Sequence, residues 1–333
     1  MDLDRPVFIW GVPRSGTHLL YDVLSLHPSL ACPTTPQRAK KGLWGNMHWG
    51  EDTPPALRGR PAPHEGFDRF WLGAGIQYDS IGLFERSRLD PSLGARIRTR
   101  YADLRRGWAG SGTARYRVLD KCPTYLLMLD AIDAVFPDSL HVFLIRDPRA
   151  VLNSLLRVYR FPERGRGQID ELGFTTGVPP GHEAHRGESV VARLSWQIGA
   201  LHALGDAHGA RWPGRVFRVH YESLLADAHG TVEALFRDLG LTIWPSLREL
   251  VPRTFRGYDP PWPRPGEPTA VPFGKERCWE DGEVGQLEPV ETLARALGYR
   301  AHRPGRLAAD DPKGGPAPVS PPEEHAGAPR PRA

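Results

Sequence analysis

A short glycine-containing segment near the amino end carries residues that could bind a phosphate. Gly11 and Gly16 enclose four residues, one of which is Arg14. The segment follows an apolar run at Val7–Trp10 and precedes an apolar helical pattern, so it is predicted to join a strand to a helix. Such a junction directs backbone N–H groups and a helix dipole at one point, and arginine can contact phosphate bidentately. A glycine-rich turn that only connects two elements would show the same pattern.

The residues after Gly16 argue against a magnesium-nucleotide site. The spacing of the two glycines is that of a Walker A loop, but Thr17 stands where such a loop has its lysine. His18 occupies the position of the serine or threonine that would contact magnesium. An ATPase or kinase would therefore lack both its usual cation and its metal ligand.

A second group of polar residues follows a later apolar run at Leu140–Ile145. Arg146 comes directly after this predicted strand, Asp147-Pro148 is a typical helix start, and Ser154 lies about two turns along that helix. An arginine fork and a hydroxyl in this arrangement can share one phosphate monoester. An arginine–aspartate pair at a helix start is, taken alone, more often a structural cap.

Together the two segments resemble the PAPS-dependent sulfotransferase family, which uses 3′-phosphoadenosine-5′-phosphosulfate (PAPS) as donor. Pro13-Arg14-Ser15-Gly16-Thr17 is similar to the family's 5′-phosphosulfate loop, and Arg146 through Ser154 is similar to its 3′-phosphate segment. Weaker similarities are found at Asp120–Tyr125, Val219–Leu224, Phe273–Arg277 and Leu297–Tyr299. His18 departs from the family's common threonine or serine.

The resemblance implies a fold and a set of donor contacts. The fold is α/β, a central parallel sheet flanked by helices in the P-loop NTPase-like sulfotransferase architecture. PAPS is the implied co-substrate, with no metal. The implied contacts to the 5′-phosphate and the sulfuryl group are Arg14, Ser15, Gly16, Thr17 and His18. Arg146 and Ser154 are implied to hold the 3′-phosphate, and Tyr221 and Lys275 are further implied donor contacts.

Sulfuryl transfer also needs cations at the leaving phosphate and a base for the acceptor's proton. Arg14 is the first candidate cation and Lys121 the second, although Lys121 could equally be a surface lysine paired with Asp120. His48 and Glu51 are the leading candidates for the base, in a segment that could also be an ordinary solvated loop. His64, Glu65 and His18 remain open as alternatives.

Strand-like and helix-like segments alternate along most of the chain, which favours a parallel sheet with helices on both faces. A third strand is expected at Arg215–Val219, and helices at about Thr17–Leu26, Tyr125–Val135 and Thr231–Leu239. Residues 33–115 are expected to form loops and short helices over the sheet's carboxyl edge.

Residues 1–303 are interpreted as the sulfotransferase domain. Residues 304–333, with 12 Gly or Pro, are expected to be a disordered tail.

Composition narrows the function classes. A net charge of +4 without a basic stripe interleaved with aromatics does not favour a nucleic-acid surface. We expect no transmembrane segment and no signal peptide, so the cytoplasm is the expected compartment. Three scattered cysteines do not form a disulfide framework.

The acceptor is expected to be a small molecule, a glycan or a lipid, and the oligomeric state is not assigned. The alternatives are a P-loop kinase or NTPase, or a non-catalytic nucleotide-binding module.

The segment 160–187, rich in Arg and Gly, is interpreted as either a mobile lid or a disordered insertion.

Overall fold

A computed structural model describes nine parts of the chain: residues 5–27, 29–33, 70–75, 84, 88–108, 116–160, 174, 177–243 and 281–299. Several predictions concern residues outside these parts. They include the candidate residues His48, Glu51, His64, Glu65 and Lys275, most of the segment 160–187, and the tail 304–333.

A five-stranded parallel sheet organises the described residues. Its strands are β1 (Val7–Trp10), β2 (Leu30–Ala31), β3 (Arg117–Lys121), β4 (Leu140–Ile145) and β5 (Val216–His220). Their order across the sheet is β2-β3-β1-β4-β5, and all four pairings are parallel. The predicted α/β fold is confirmed, and β1 and β4 have the predicted bounds. The third predicted strand begins and ends one residue later than expected.

Eight α-helices surround the sheet in the described parts of the chain. They are α1 (Thr17–Leu24), α2 (Pro91–Trp108), α3 (Leu129–Val135), α4 (Pro148–Arg160), α5 (Val190–Arg211), α6 (Tyr221–Ala226), α7 (Ala228–Asp238) and α8 (Glu288–Ala296). Short 3-10 helices cover 72–74, 123–127, 182–185 and 281–287. None of these described helices is both long enough and apolar enough to cross a membrane.

Alternate residues of the central strands pack into two separate cores, one on each face of the sheet. Phe8 and Phe143 belong to the core that includes residues of α2, α3, α4 and α5, whereas Ile9 and Val142 belong to the core that includes α1 and α7. Every residue of β1 and β4 is buried. The continuous apolar runs that predicted these strands are explained by this burial on both faces.

Two helical regions differ in part from what was expected. The predicted helix Tyr125–Val135 starts as a 3-10 helix over Pro123–Leu127, and α3 begins only at Leu129. The region 33–115 was expected to hold only loops and short helices, yet α2 has 18 residues. It packs against α3 and β3. Leu93, Ile97 and Tyr101 are buried at four-residue spacing, which is the face that holds α2 in place.

Cys32 and Cys122, the two cysteines among the described residues, are both buried and are not joined in a disulfide. Cys278 lies outside the described residues.

Candidate active site

Four polar side chains predicted to act together meet at the carboxyl edge of the sheet. Arg14 lies in the loop after β1, Lys121 is the last residue of β3, and Arg146 directly follows β4. Tyr221 directly follows β5. Because the four strands are parallel neighbours, their carboxyl ends share one edge, where open α/β sheets bind ligands.

The loop between β1 and α1 has a constrained backbone. Arg14 has a φ of 74° and Gly16 a φ of 98°, both in the left-handed region. A Cβ on Gly11 would lie 2.6 Å from the backbone oxygen of Leu144, so the loop passes close against β4. Ser15 is fully buried, and its Oγ has no hydrogen-bond partner among the described residues. A strained loop with an unpartnered hydroxyl at the start of a helix is suited to enclosing an anion.

Direct hydrogen bonds join this loop to the segment after β4. Arg14 Nε donates to Ser154 Oγ at 3.1 Å, and Arg146 Nη1 donates to the backbone oxygen of Arg14 at 3.0 Å. The two guanidinium groups are close enough to repel. Partial burial, followed by the charge of Arg146, lowers the pKa of Arg14. Two like charges held together in this way favour the binding of an anion.

Tyr221 fills the space between the glycine of the loop and Arg146. The Arg146 guanidinium lies over the Tyr221 ring, 4.5 Å from its centroid. A Cβ on Gly16 would lie 2.5 Å from Cε2 of the same ring. The Nε of Arg146 is buried without a hydrogen-bond partner among the described residues. The ring therefore fixes one side of Arg146, and its Nε remains available to a ligand.

The helix start after Arg146 has the predicted geometry. Asp147 Oδ1 accepts the backbone N–H of Arg149 at 2.9 Å, and Pro148 is the first residue of α4. The guanidinium of Arg149 also donates to both Asp147 carboxylate oxygens, at 2.9 and 2.7 Å. Arg149 thus stabilises the helix start, whereas Arg146 faces the loop.

Lys121 is fully buried, so its interpretation as a surface lysine was wrong. Its Nζ lies 3.2 Å from Nδ1 and 3.1 Å from Nε2 of His18. The structure thus brings together two predicted site residues that are 103 positions apart. A neutral imidazole has one acceptor nitrogen, and in either tautomer that nitrogen lies within 3.2 Å of the ammonium.

The carboxylate beside Lys121 belongs to a buried network of hydroxyl groups. Asp120 Oδ2 accepts from the hydroxyls of Tyr101 and Tyr125 at 2.6 and 2.7 Å, and Oδ1 accepts the backbone N–H of Lys121 at 2.7 Å. Trp71 Nε1 donates to the Tyr101 hydroxyl at 2.8 Å. Burial is the main cause that raises the pKa of both tyrosines, followed by the charge of Asp120. The network holds the end of β3, and hence Lys121, in place.

Two residues that support the site, Glu222 and Tyr299, lie in segments with weaker family similarity, but sequence reasoning gave neither of them a role. Glu222 follows Tyr221 and accepts the backbone N–H of Asp147 at 3.0 Å, and it also accepts the Tyr299 hydroxyl at 2.7 Å. The signal for Glu222 was present, because a carboxylate directly after a parallel strand lies at the same edge as the phosphate loop. Nothing in the sequence pairs Tyr299 with it, since the two are 77 positions apart.

The described residues contain no group of His, Cys, Asp or Glu side chains placed to hold a metal ion. The candidate bases His48 and Glu51, and the candidate donor contact Lys275, are not among the described residues and stay predictions.

The sequence is similar to those of known proteins. A family model described as the sulfotransferase family matches residues 6–246. The nodulation protein NoeE of Sinorhizobium fredii is 26% identical over 243 residues, which is 70% of this chain and 49% of NoeE. A putative protein-tyrosine sulfotransferase of Caenorhabditis briggsae is 22% identical, with coverage of 72% and 67%. The aligned part of this chain thus spans about half of NoeE and two thirds of the second relative.

The fold is also similar to that of a solved structure. The sulfotransferase STF9 of Mycobacterium avium superimposes with a TM-score of 0.53 at 15% identity, covering 92% of this chain and 79% of STF9. The family model covers β1 through β5, including the loop after β1 and the segment after β4. On this match, the chain belongs to the sulfotransferase family.

Proposed function

We propose that the chain transfers a sulfuryl group from PAPS to a hydroxyl or amine of an acceptor. The observation that carries this proposal is a pair of guanidinium groups at one edge of the sheet. Each forms a hydrogen bond to the chain segment that carries the other. Arg14 contacts Ser154, and Arg146 contacts the backbone of Arg14. A donor with phosphate groups at the 3′ and 5′ positions of one ribose needs two neighbouring anion sites, whereas a nucleoside monophosphate needs only one.

The residues present fit such a donor. Ser15 Oγ and Arg146 Nε are buried polar atoms without partners among the described residues. Leaving such atoms unpaired is costly, so a ligand that places one phosphate at each of them would stabilise the site. We assign Arg14, Ser15, Gly16 and Thr17 to the 5′-phosphosulfate. Arg146 and Ser154 are assigned to the 3′-phosphate, and the Tyr221 ring to the region between them.

The reaction needs charge stabilisation that this chain supplies itself. When bound, PAPS provides the sulfuryl group and a phosphate leaving group. The acceptor oxygen or nitrogen forms a bond to sulfur while the bond from sulfur to the bridging oxygen breaks. The electron pair of that bond passes to the leaving phosphate. Lys121 and Arg14 neutralise this charge, because both cations lie at the edge where the loop ends.

The proton of the acceptor passes to a base. His48 and Glu51 remain the proposed bases, with His18 as the alternative among the described residues. The His18 ring lies 3.1 Å from the Lys121 ammonium and two residues after Gly16, so a proton accepted there would be near the leaving group.

The acceptor is the open part of the proposal. A tyrosine phenol is the first class to test, because one relative bears the name of a putative protein-tyrosine sulfotransferase. Small alcohols, glycans and lipids form the remainder of the acceptor panel.

A thermal-shift experiment tests the donor, followed by transfer of labelled sulfate. At 100 times Kd, 3′,5′-adenosine bisphosphate should stabilise the chain by about 2.7 kcal/mol, or roughly 5 °C in Tm. ATP with magnesium should stabilise it far less. Stabilisation by ATP with magnesium alone would instead support a kinase or NTPase. Bisphosphate binding without label transfer to any acceptor would support a non-catalytic nucleotide-binding module.

A further inference from the structure

The carboxyl-terminal segment, residues 281–299, lies beyond the part of the chain that the family model matches, yet it reaches the donor site. Helix α8 packs against α4 and α5, and Tyr299 lies three residues after the end of this helix. Gly298 has a φ of 84°, and the backbone N–H of Tyr299 donates to the Ala294 oxygen at 2.9 Å. This turn directs the Tyr299 side chain toward the sheet, where it is 8% exposed.

Two hydrogen bonds connect Tyr299 to the segment that carries Arg146. The Tyr299 hydroxyl donates to Glu222 Oε2 at 2.7 Å, and Glu222 Oε1 accepts the backbone N–H of Asp147 at 3.0 Å. His220 Nδ1 lies 3.2 Å from the same hydroxyl, so it can donate to the remaining lone pair. Since Asp147 directly follows Arg146, this connection ends one residue from the guanidinium.

Burial makes this connection sensitive to the loss of either hydrogen bond. Glu222 is only 6% exposed. Burial raises the pKa of Glu222, and the hydrogen bonds from Asp147 and Tyr299 oppose that rise. A buried carboxylate that loses a donor either takes up a proton or moves toward water. Both responses weaken its hold on the Asp147 backbone.

Contacts of two further residues, Glu291 and Tyr221, also help to hold Arg146 in place. Glu291 of α8 lies 3.5 Å from Arg149 Nη1, and Arg149 holds the Asp147 carboxylate. Tyr221 directly precedes Glu222 and lies under the Arg146 guanidinium. A shift of Glu222 would therefore disturb Arg146 in two ways. It would move Asp147, which directly follows Arg146, and it would move the Tyr221 ring that lies under the guanidinium.

We propose that Tyr299, acting through Glu222, is a positioning residue that holds Arg146 for recognition of the donor's 3′-phosphate. This inference rests on the proposed function, because it takes the ligand of Arg146 to be that phosphate. The carboxyl-terminal segment thereby determines how strongly the site distinguishes a 3′,5′-bisphosphate from a 5′-monophosphate.

The test compares the affinities of 3′,5′-adenosine bisphosphate and AMP for the whole chain by calorimetry. In Tyr299→Phe, the Kd of the bisphosphate should rise about fivefold to tenfold, which is less than the roughly tenfold to hundredfold effect of a direct hydrogen bond to a charged group, because Tyr299 acts through Glu222. The Kd of AMP should change less than about twofold, since AMP does not use Arg146. Tyr116→Phe is the matched control, because Tyr116 precedes β3 at the opposite edge of the sheet.

Glu222→Gln and Glu222→Ala complete the series and replace Tyr299→Phe if that variant does not fold. The Gln amide can still accept from Asp147 and donate to Tyr299, so it should keep more of the preference for the bisphosphate than Ala does. An unchanged ratio of the two Kd values in Tyr299→Phe, even with a lower Tm, would overturn the inference. A wild-type chain that does not prefer the bisphosphate would contradict the proposed function itself, and this inference with it.

Discussion

The substitution Gly16→Ala tests the geometry of the phosphate loop. The added Cβ would lie 2.5 Å from Cε2 and 2.6 Å from Cδ2 of Tyr221, closer than real Cβ contacts allow. The ring has little room to retreat, because the Arg146 guanidinium lies over it at 4.5 Å from its centroid. The φ of 98° at Gly16 is also unfavourable for any residue with a Cβ.

Two costs add up in this variant. Backbone strain at such a φ costs about 1–3 kcal/mol. Overpacking against the ring costs about 1–3 kcal/mol more. The free energy of unfolding should therefore fall by about 2–6 kcal/mol, out of a typical total of roughly 5–15 kcal/mol. Urea unfolding measures this loss, and bisphosphate affinity should fall in the fraction that remains folded.

A double-mutant cycle separates the two costs. In a Tyr221→Ala background, Gly16→Ala should cost less by the overpacking part, about 1–3 kcal/mol, while the backbone strain remains. Gly199→Ala is the control, because a Cβ at this position of α5 meets nothing within 4 Å. It should stabilise the chain by about 0.5–1 kcal/mol. An equal cost of Gly16→Ala in both backgrounds would refute the placement of the ring against the loop.

The remaining predictions concern turnover and acid stability. Lys121→Ala should reduce kcat by about 100-fold, because it removes a charge-stabilising group. The Kd of the bisphosphate should change little. An unchanged kcat would remove Lys121 from the mechanism. Burial is the main cause that lowers the pKa of His141 to about 3 and of His202 to about 4. Both histidines favour the folded state above pH 6.5, and as the pH falls the unfolded chain binds protons that the folded chain does not. Each should cost about 2 kcal/mol of unfolding free energy at pH 5 relative to pH 7. His141→Gln should flatten this dependence in urea unfolding between pH 7 and pH 5, and a dependence as steep as in the wild type would contradict it.

The strands and loops that depend on local sequence could be predicted. Val7–Trp10 and Leu140–Ile145 are continuous apolar runs, and a strand buried on both faces needs no other signal. Asp147-Pro148 begins a helix because the capping oxygen and the proline act within one turn. The phosphate loop was recognisable from its glycine spacing, although the close contacts at Gly11 and Gly16 are made with the distant residues Leu144 and Tyr221.

The parts that depend on distant residues could not be predicted. Strand β3 ends in Asp120 and Lys121, both fully buried, a pattern that does not indicate a central strand. Tyr101, Tyr125 and His18 supply hydrogen-bonding partners that stabilise them there. The connection from Tyr299 through Glu222 to Asp147 likewise exists only after the chain has folded.

Helix α2 is a different case. Leu93, Ile97 and Tyr101 gave a helical spacing in the sequence, which the many arginines and glycines around them obscured.

The central claim is that one sheet edge binds a nucleotide with phosphates at both its 3′ and 5′ positions. Calorimetric titration of the wild type and of Arg146→Ala with 3′,5′-adenosine bisphosphate and AMP tests it most directly. The wild type should bind the bisphosphate about 10 to 100 times more tightly than AMP, the worth of one or two charge-assisted hydrogen bonds. Arg146→Ala should lose most of this preference with little change in AMP affinity. Equal affinities in the wild type, or equal losses for both ligands in the variant, would contradict the account.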